Sequence, residues 1–212
     1  LKSNLVDLIV GFSFIFITYC SGPSLLPIHF ILAISYSAWL IALKPMSSER
    51  ASSLQSLLAV FLGTTATTLM TATANSTFPV FLNFLIGFAA ARHILVQGDD
   101  TDFSLLSMII GLLFTEFAWL SQSWLIVYTY REIGFLLPQS AILLTAITFL
   151  LGYIFKKYTS SENFTFSKIA APTIFSIVLI VIIVLWFSKP LFNVLWLLFA
   201  WYNFFHPFAF HL

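Results

Sequence analysis

The sequence predicts an all-α protein, a polytopic bundle of seven to eight transmembrane helices joined by short loops. Of its 212 residues, 60% are hydrophobic and 8% are charged, and the mean hydropathy is +1.00. About a quarter of the residues in an average soluble domain are charged, so a soluble core could not bury this much apolar surface. Several apolar stretches also reach the roughly 20 residues with which a helix crosses a bilayer.

The apolar stretches are separated by short connections that carry most of the charge. We predict eight spans, at residues 5–21, 24–43, 53–74, 78–97, 103–128, 134–155, 169–187 and 190–210. The first is short and the last is interrupted by Asn203, His206 and Pro207, so either could lie in the membrane interface instead of crossing. No connection is long enough for a second domain, which predicts one transmembrane domain over residues 1–212.

Lysine and arginine residues indicate the orientation, because they are enriched in cytoplasmic loops. Arg131 and Lys189 fall on one side of the predicted bundle. Seven basic residues fall on the side of the N-terminus: Lys2, Lys44, Arg50, Arg92, Lys156, Lys157 and Lys168. This bias predicts that both termini are cytoplasmic.

In five of the predicted spans, a polar residue lies at a similar distance from the inner end of the span. With a rise of about 1.5 Å per residue, Glu116 lies about 20 Å from the inner end of its span. His29 and Asn83 lie at about 21 Å and Gln139 at about 24 Å on the same count. The threonines of span 53–74 that bracket this level are Thr64 and Thr68. The sequence thus predicts a polar layer near the middle of the membrane.

Two interpretations of this layer stay open. A carboxyl group at the bilayer midplane is costly and often functional, so Glu116 could bind a cation or carry a proton. Alternatively, the layer is a set of hydrogen bonds between helices, with Glu116 neutral because desolvation disfavours its charged form. The second interpretation is favoured.

Small residues predict where the helices pack closely. Gly63 lies beside the threonines of span 53–74, and Gly87 and Ala91 form a small-xxx-small pair in span 78–97. Pro79 is expected to be an ordinary residue near a helix start, whereas Pro138, followed by Gln139, could be a functional kink.

Motifs for enzymatic chemistry are missing from the sequence. It contains no P-loop, no G-x-S-x-G and no H-E-x-x-H, and His206 and His211 are spaced by five rather than four residues. Arg92 and His93 are expected to pair with the nearby aspartates at the membrane surface, and Asp7 to reach the interface. We therefore expect no catalytic residue, no metal site, no cofactor and no nucleic-acid partner.

The segment Glu116-x-x-Trp119, followed by a span that begins Leu136-Leu137-Pro138-Gln139-Ser140, resembles small uncharacterised multi-pass bacterial inner-membrane proteins. The resemblance covers roughly the third to the seventh span and implies location in a bacterial inner membrane, without an activity.

The favoured function is that of a small non-enzymatic membrane protein that packs as a subunit. Its expected partners are membrane lipid and either further copies of itself or a larger membrane complex. The alternative is a transporter or channel for a proton, cation or small solute, with Glu116 as the coupling residue. A lipid-linked enzyme is the weakest hypothesis.

Overall fold

Helices make up most of the molecule. The computed structural model describes residues 4–21, 26–74, 78–95, 103–124, 127–130, 135–160, 170, 173–178 and 180–182. The described elements are α1 (Asn4–Ser21), α2 (Leu26–Ala38), a π-helical segment (Trp39–Leu43), α3 (Glu49–Ala74), α4 (Phe78–Leu95), α5 (Phe103–Trp124), β1 (Val127–Tyr130), β2 (Phe135–Pro138) and α6 (Gln139–Ser160). The predicted all-α class is confirmed, and two short strands are the exception.

The first four predicted spans match helices closely. The π-helical segment extends α2 without a break, so the two cover most of the predicted span 24–43. Ser48 begins α3 by capping, because its side-chain oxygen accepts a hydrogen bond from the Ala51 amide at 3.3 Å. The predicted span 169–187 falls partly on described helical residues, and span 190–210 lies outside the described residues.

The region between α5 and α6 differs from the prediction. Helix α5 ends at Trp124, and β1 and β2 then form an antiparallel hairpin in which Val127 pairs with Pro138 and Tyr130 with Phe135. The stretch is rich in aromatic and β-branched residues, which favour strands when a neighbouring strand is available. The helical assignments of residues 127–128 and 135–138 are therefore wrong.

The prolines of α2 and α4 lie at helix starts. Pro27 and Pro79 are each the second residue of their helix, where the missing amide proton costs nothing. The ordinary interpretation of Pro79 is confirmed. Pro138 ends β2 directly before α6, so it does not kink a helix.

Helix α3 lies between two apolar clusters and contacts α1, α4 and α6. One cluster packs α1, α2 and the π-helical segment against α3, and includes Val10, Phe14 and Ala59. The other packs α4, α5 and α6 against α3, and includes Val60, Phe114 and Leu144. Adjacent residues of α3 thus serve different clusters, which makes α3 the central helix of the described structure.

Three helical stretches in the described residues are long and apolar enough to cross a membrane: Leu26–Leu43, Arg50–Thr71 and Phe78–Leu95. The apolar stretches of α1, α5 and α6 are shorter. The three stretches differ in burial. About half of the residues in Arg50–Thr71 and in Phe78–Leu95 are buried, but only 17% of those in Leu26–Leu43. Within the part of the chain that the structure describes, most residues of α2 are therefore exposed.

Candidate functional site

A threonine cluster lies between α3, α4 and α6, and it contains part of the predicted polar layer. Hydrogen bonds join Thr64, Thr67, Thr68, Asn83 and Ser140, and the buried Gln139 precedes Ser140 in the chain. Four of them, including Asn83 at 5% exposure and Gln139 at 0%, were expected near the midplane. Gln139 is the first residue of α6, whereas the predicted span began at residue 134.

The amide of Asn83 connects α4 to α3. Its Nδ2 donates to the Thr67 hydroxyl oxygen at 3.1 Å and to the Pro79 carbonyl at 2.9 Å. The Thr67 hydroxyl proton then remains for the Thr64 carbonyl, 3.1 Å away. Asn83 therefore satisfies a backbone carbonyl of its own helix while it links two helices.

Hydroxyl groups connect α3 to α6 in the same cluster. The Thr68 and Ser140 oxygens lie 3.1 Å apart, and the Thr68 hydroxyl also lies 2.8 Å from the Thr64 carbonyl. Thr64 itself donates to the Val60 carbonyl at 2.6 Å. Because threonine hydroxyls can donate to carbonyls of the preceding helical turn, the threonines of α3 can be buried without unpaired hydroxyl protons.

The threonine cluster holds hydroxyl and amide groups, none of which titrates in the physiological range. Such groups can stabilise contacts between helices, but they do not carry a proton or neutralise a cation. In the described structure, the cluster is a set of hydrogen bonds within and between helices α3, α4 and α6, and Glu116 is not part of it.

The other two members of the predicted layer lie elsewhere. His29 is half-buried between α1 and α2, with its Nε2 atom 3.2 Å from the Thr18 carbonyl. Glu116 is exposed on α5. Phe114, two residues earlier and about 200° around the helix, is only 1% exposed. The predicted residues are thus divided among three places.

Glu116 lies within an apolar outer face of α5. Leu112, Trp119 and Leu120 are exposed on the same side of the helix, Trp119 by 64%. The inward side carries smaller groups, with Ser107, Gly111 and Ala118 buried beside Phe114. The carboxyl group therefore stands on the outer surface, among side chains that favour hydrocarbon.

Glycines allow close helix contacts at the positions predicted for packing. A Cβ atom on Gly87 would lie 2.6 Å from Phe114 Cγ, and one on Gly63 would lie 2.9 Å from Ile86 Cδ1. Real Cβ atoms do not approach that closely, so the Gly87 contact requires glycine, whereas at Gly63 the end of the Ile86 side chain would have to move. Ala91, four residues after Gly87, is 4% exposed.

A second polar site joins helix ends and was not predicted from the sequence. Gln55 Nε2 donates to the Leu43 carbonyl at 2.6 Å and to the Met46 carbonyl at 3.2 Å. Its Oε1 lies 2.9 Å from His93 Nε2. Because an amide oxygen only accepts, His93 must carry a proton on Nε2.

Two expectations from the sequence concern residues near this site, and both stay predictions. His93 contacts Gln55, and the Arg92 guanidinium lies over the Phe88 ring at 5.8 Å, whereas the aspartates expected to face them lie outside the described residues. Asp7 forms an ion pair with Lys44 at 3.4 Å. The sequence signal was Gln55, a polar residue inside an apolar span.

No protein family model, curated protein or solved structure matches this chain. Among the residues that the structure describes, no three histidine, cysteine, aspartate or glutamate side chains are grouped so that they could hold a metal ion. The geometry of the described residues is therefore the basis for the function.

Proposed function

We propose that this protein is a small, non-enzymatic, multi-pass membrane protein that forms homo-oligomers through the outer face of α5. The observation that carries the proposal is the exposure of Glu116 in the middle of an apolar helix. A carboxyl group in contact with lipid lacks hydrogen-bond partners, which is costly in hydrocarbon. A second protein surface at this point would supply them.

The exposed residues of α5 have the spacing of a helix-pairing seam. Among the exposed residues of α5, five lie at intervals of four, three, four and three, and we call them the α5 seam: Leu105, Ile109, Leu112, Glu116 and Trp119. The exposed residues Leu106, Met108, Leu113 and Leu120 flank this seam. Alternating steps of three and four are the repeat with which two helices pack along a left-handed supercoil. One polar residue in such a seam sets the register of the pair.

Twofold symmetry favours a second copy of this chain as the partner. In a symmetric dimer the same patch meets itself, so Glu116 of one protomer meets Glu116 of the other near the axis. Two neutral carboxyl groups can each donate one hydrogen bond and accept one. Among the residues that the structure describes, no partner of the Glu116 carboxyl group is seen, and this pairing would supply one without a further residue type.

The bundle itself is proposed to cross the membrane seven or eight times, with a cytoplasmic N-terminus. The polar site at the helix ends supports this arrangement, because it joins residues from the start of α1, the region after the π-helical segment, the start of α3 and the end of α4. When consecutive helices cross the membrane in alternating directions, these four helix ends lie on the same side of the membrane. The basic residues Lys44, Arg50 and Arg92 belong to the same side.

Transport of a proton or cation remains the alternative. It requires a path from Glu116 to both sides of the membrane. The threonine cluster does not supply that path from its own residues, because Glu116 lies on the outer face of α5 and the cluster lies between α3, α4 and α6. A path between protomers would pass along the α5 seam.

Single-cysteine cross-linking tests the proposal. Cys20 is the only cysteine of the chain, so Cys20→Ser provides a clean background. Leu112→Cys places a thiol in the seam, and the control Ile31→Cys places one on α2, where exposure is similar at 60% against 57%. After oxidation in native membranes, we expect a disulfide-linked dimer for Leu112→Cys and little for Ile31→Cys. Equal cross-linking of the two variants would reject the seam.

Changes at Glu116 then identify the interaction. A polar pair between membrane helices is worth about 1 to 2 kcal/mol, so Glu116→Leu should weaken dimerisation roughly tenfold. Glu116→Gln should retain the dimer, because an amide can also donate and accept. If Glu116→Gln dimerises normally but abolishes a measured proton or cation flux, Glu116 serves transport in addition to packing, and the non-enzymatic packing role alone is rejected.

A further inference from the structure

A cavity of about 300 Å³ lies between α4, α5 and α6, apart from both the threonine cluster and Glu116. Its wall is nearly all apolar and includes Ala91, Leu95, Leu151 and Phe155. The polar side chain in the wall is Thr148, whose hydroxyl donates to the Leu144 carbonyl at 2.8 Å. Its proton is therefore already used within α6.

Small residues create this space. Gly87, Ala90 and Ala91 of α4 and Gly152 of α6 line the cavity. At Gly152, a Cβ atom would meet Ile94 at 3.6 Å, an ordinary contact, so the space is large enough for a side chain. The sequence leaves it unfilled.

Water and polar ligands are poor occupants of such a site. A buried water molecule needs two to four polar partners, which this wall does not offer. An empty cavity would deprive its lining of dispersion contacts. The occupant is therefore expected to be apolar.

The cavity also opens toward the outer surface of α5. In the part of the chain that the structure describes, Leu106 and Leu113 line it and are also exposed on the surface, by 37% and 51%, and neither belongs to the α5 seam. If the bundle lies in a bilayer, as proposed above, this opening faces hydrocarbon. The surrounding apolar molecules there are lipid acyl chains.

We infer that the α4–α5–α6 cavity binds one acyl chain of a bilayer phospholipid. The chain enters between α5 and α6, and its methylene groups contact the glycine and alanine residues of α4. The inference rests on the proposed membrane location, but it does not depend on the dimer.

Photolabelling of the full chain in vesicles tests the inference. The probe is phosphatidylcholine with a diazirine in the middle of one acyl chain, mixed into phosphatidylcholine vesicles. After irradiation, peptide mass spectrometry should find adducts at the buried residues Ala91 and Thr148 as well as at exposed Phe30 of α2. Phe30 reports contact with lipid outside the cavity.

Filling the cavity should remove the inner adducts. Gly152→Leu should reduce labelling at Ala91 and Thr148 at least fivefold and leave Phe30 unchanged. Gly11→Leu is the matched control, because a Cβ atom there also makes an ordinary contact, 3.5 Å from Tyr36 Oη, away from the cavity. If Gly152→Leu does not fold, Thr148→Ile fills part of the same space and should also reduce labelling at Ala91.

Each remaining outcome is decisive. Labelled Phe30 with unlabelled Ala91 and Thr148 would overturn the acyl-chain site, because another part of this chain or a second copy would then fill the cavity. Equal inner labelling in the wild type and Gly152→Leu would also overturn it. Absence of adducts at Phe30 as well would instead contradict the proposed membrane location.

Discussion

Helices α3 and α5 both carry polar residues in an apolar stretch, but they direct them oppositely. On α3, Thr64, Thr67 and Thr68 are turned toward α4 and α6. On α5, Glu116 is turned away from the bundle. The difference follows from hydrogen bonding, because a threonine proton can be donated to a carbonyl of the preceding helical turn. A buried carboxyl group needs a separate partner.

The two sides of α5 show the same division within one helix. The inward side is made of Ser107, Gly111, Phe114 and Ala118, and Gly87 of α4 fits against Phe114. The outward side carries the α5 seam. The inner face makes a close contact with α4, at Gly87. The outer face carries large apolar side chains around one polar group, Glu116. We interpret the outer face as the assembly surface for this reason.

The largest expected effect comes from blocking the inner face of α5. Gly87→Leu places a Cβ atom 2.6 Å from Phe114 Cγ, which should lower the free energy of unfolding by about 3 kcal/mol. An SDS titration in mixed micelles measures this loss. The control Gly152→Leu should cost less than about 1 kcal/mol, because its Cβ atom makes only ordinary contacts. Equal losses would show that the Gly87 contact is not tight.

Breaking the threonine cluster should have the next largest effect. Asn83→Leu removes the donor to Thr67 and to the Pro79 carbonyl, leaving buried acceptors, and should cost about 2 kcal/mol of unfolding free energy in the same titration. A double-mutant cycle with Thr67→Val should give a coupling of about 1 kcal/mol. A more stable Asn83→Leu variant would mean that the amide is not needed for packing.

A smaller effect is expected at the link to α6. Thr68→Val keeps the side-chain volume and removes the contact with Ser140, so it should cost about 0.6 kcal/mol, again by SDS titration. Thr71→Val is the control on the same helix. The Thr71 hydroxyl donates to the Thr67 carbonyl, so its hydrogen bond stays within α3. If both variants lose the same amount, the Thr68–Ser140 contact contributes nothing specific.

The smallest effect on monomer stability is expected at Glu116. At a high ratio of detergent to protein, where the protein is monomeric, Glu116→Leu should change the free energy of unfolding by less than about 0.5 kcal/mol. The effect is small because the side chain is exposed. Asn83→Leu provides the contrast in the same assay. A loss as large as that of Asn83→Leu would place Glu116 inside the bundle and remove the basis for the α5 seam.

Several parts of the structure were predictable because they depend on local chemistry. Thr64 and Thr68 are four residues apart and therefore share one helix face, and Pro79 marked a helix start. The hairpin was not predictable in the same way, because apolar residues such as Phe135 and Leu136 suit both a strand and a membrane helix. Only the neighbouring strand β1 makes the extended form favourable.

The sequence by itself determined that the chain is strongly apolar, that it folds mainly into helices, and which positions are small or polar. Tertiary structure alone decided which way those positions face: Asn83 inward, Glu116 outward, and Gln55 toward His93. The physical reason is that a helix with apolar residues all round has no hydrophobic stripe to mark its inner side. Neighbouring helices select that side through close packing and paired hydrogen bonds.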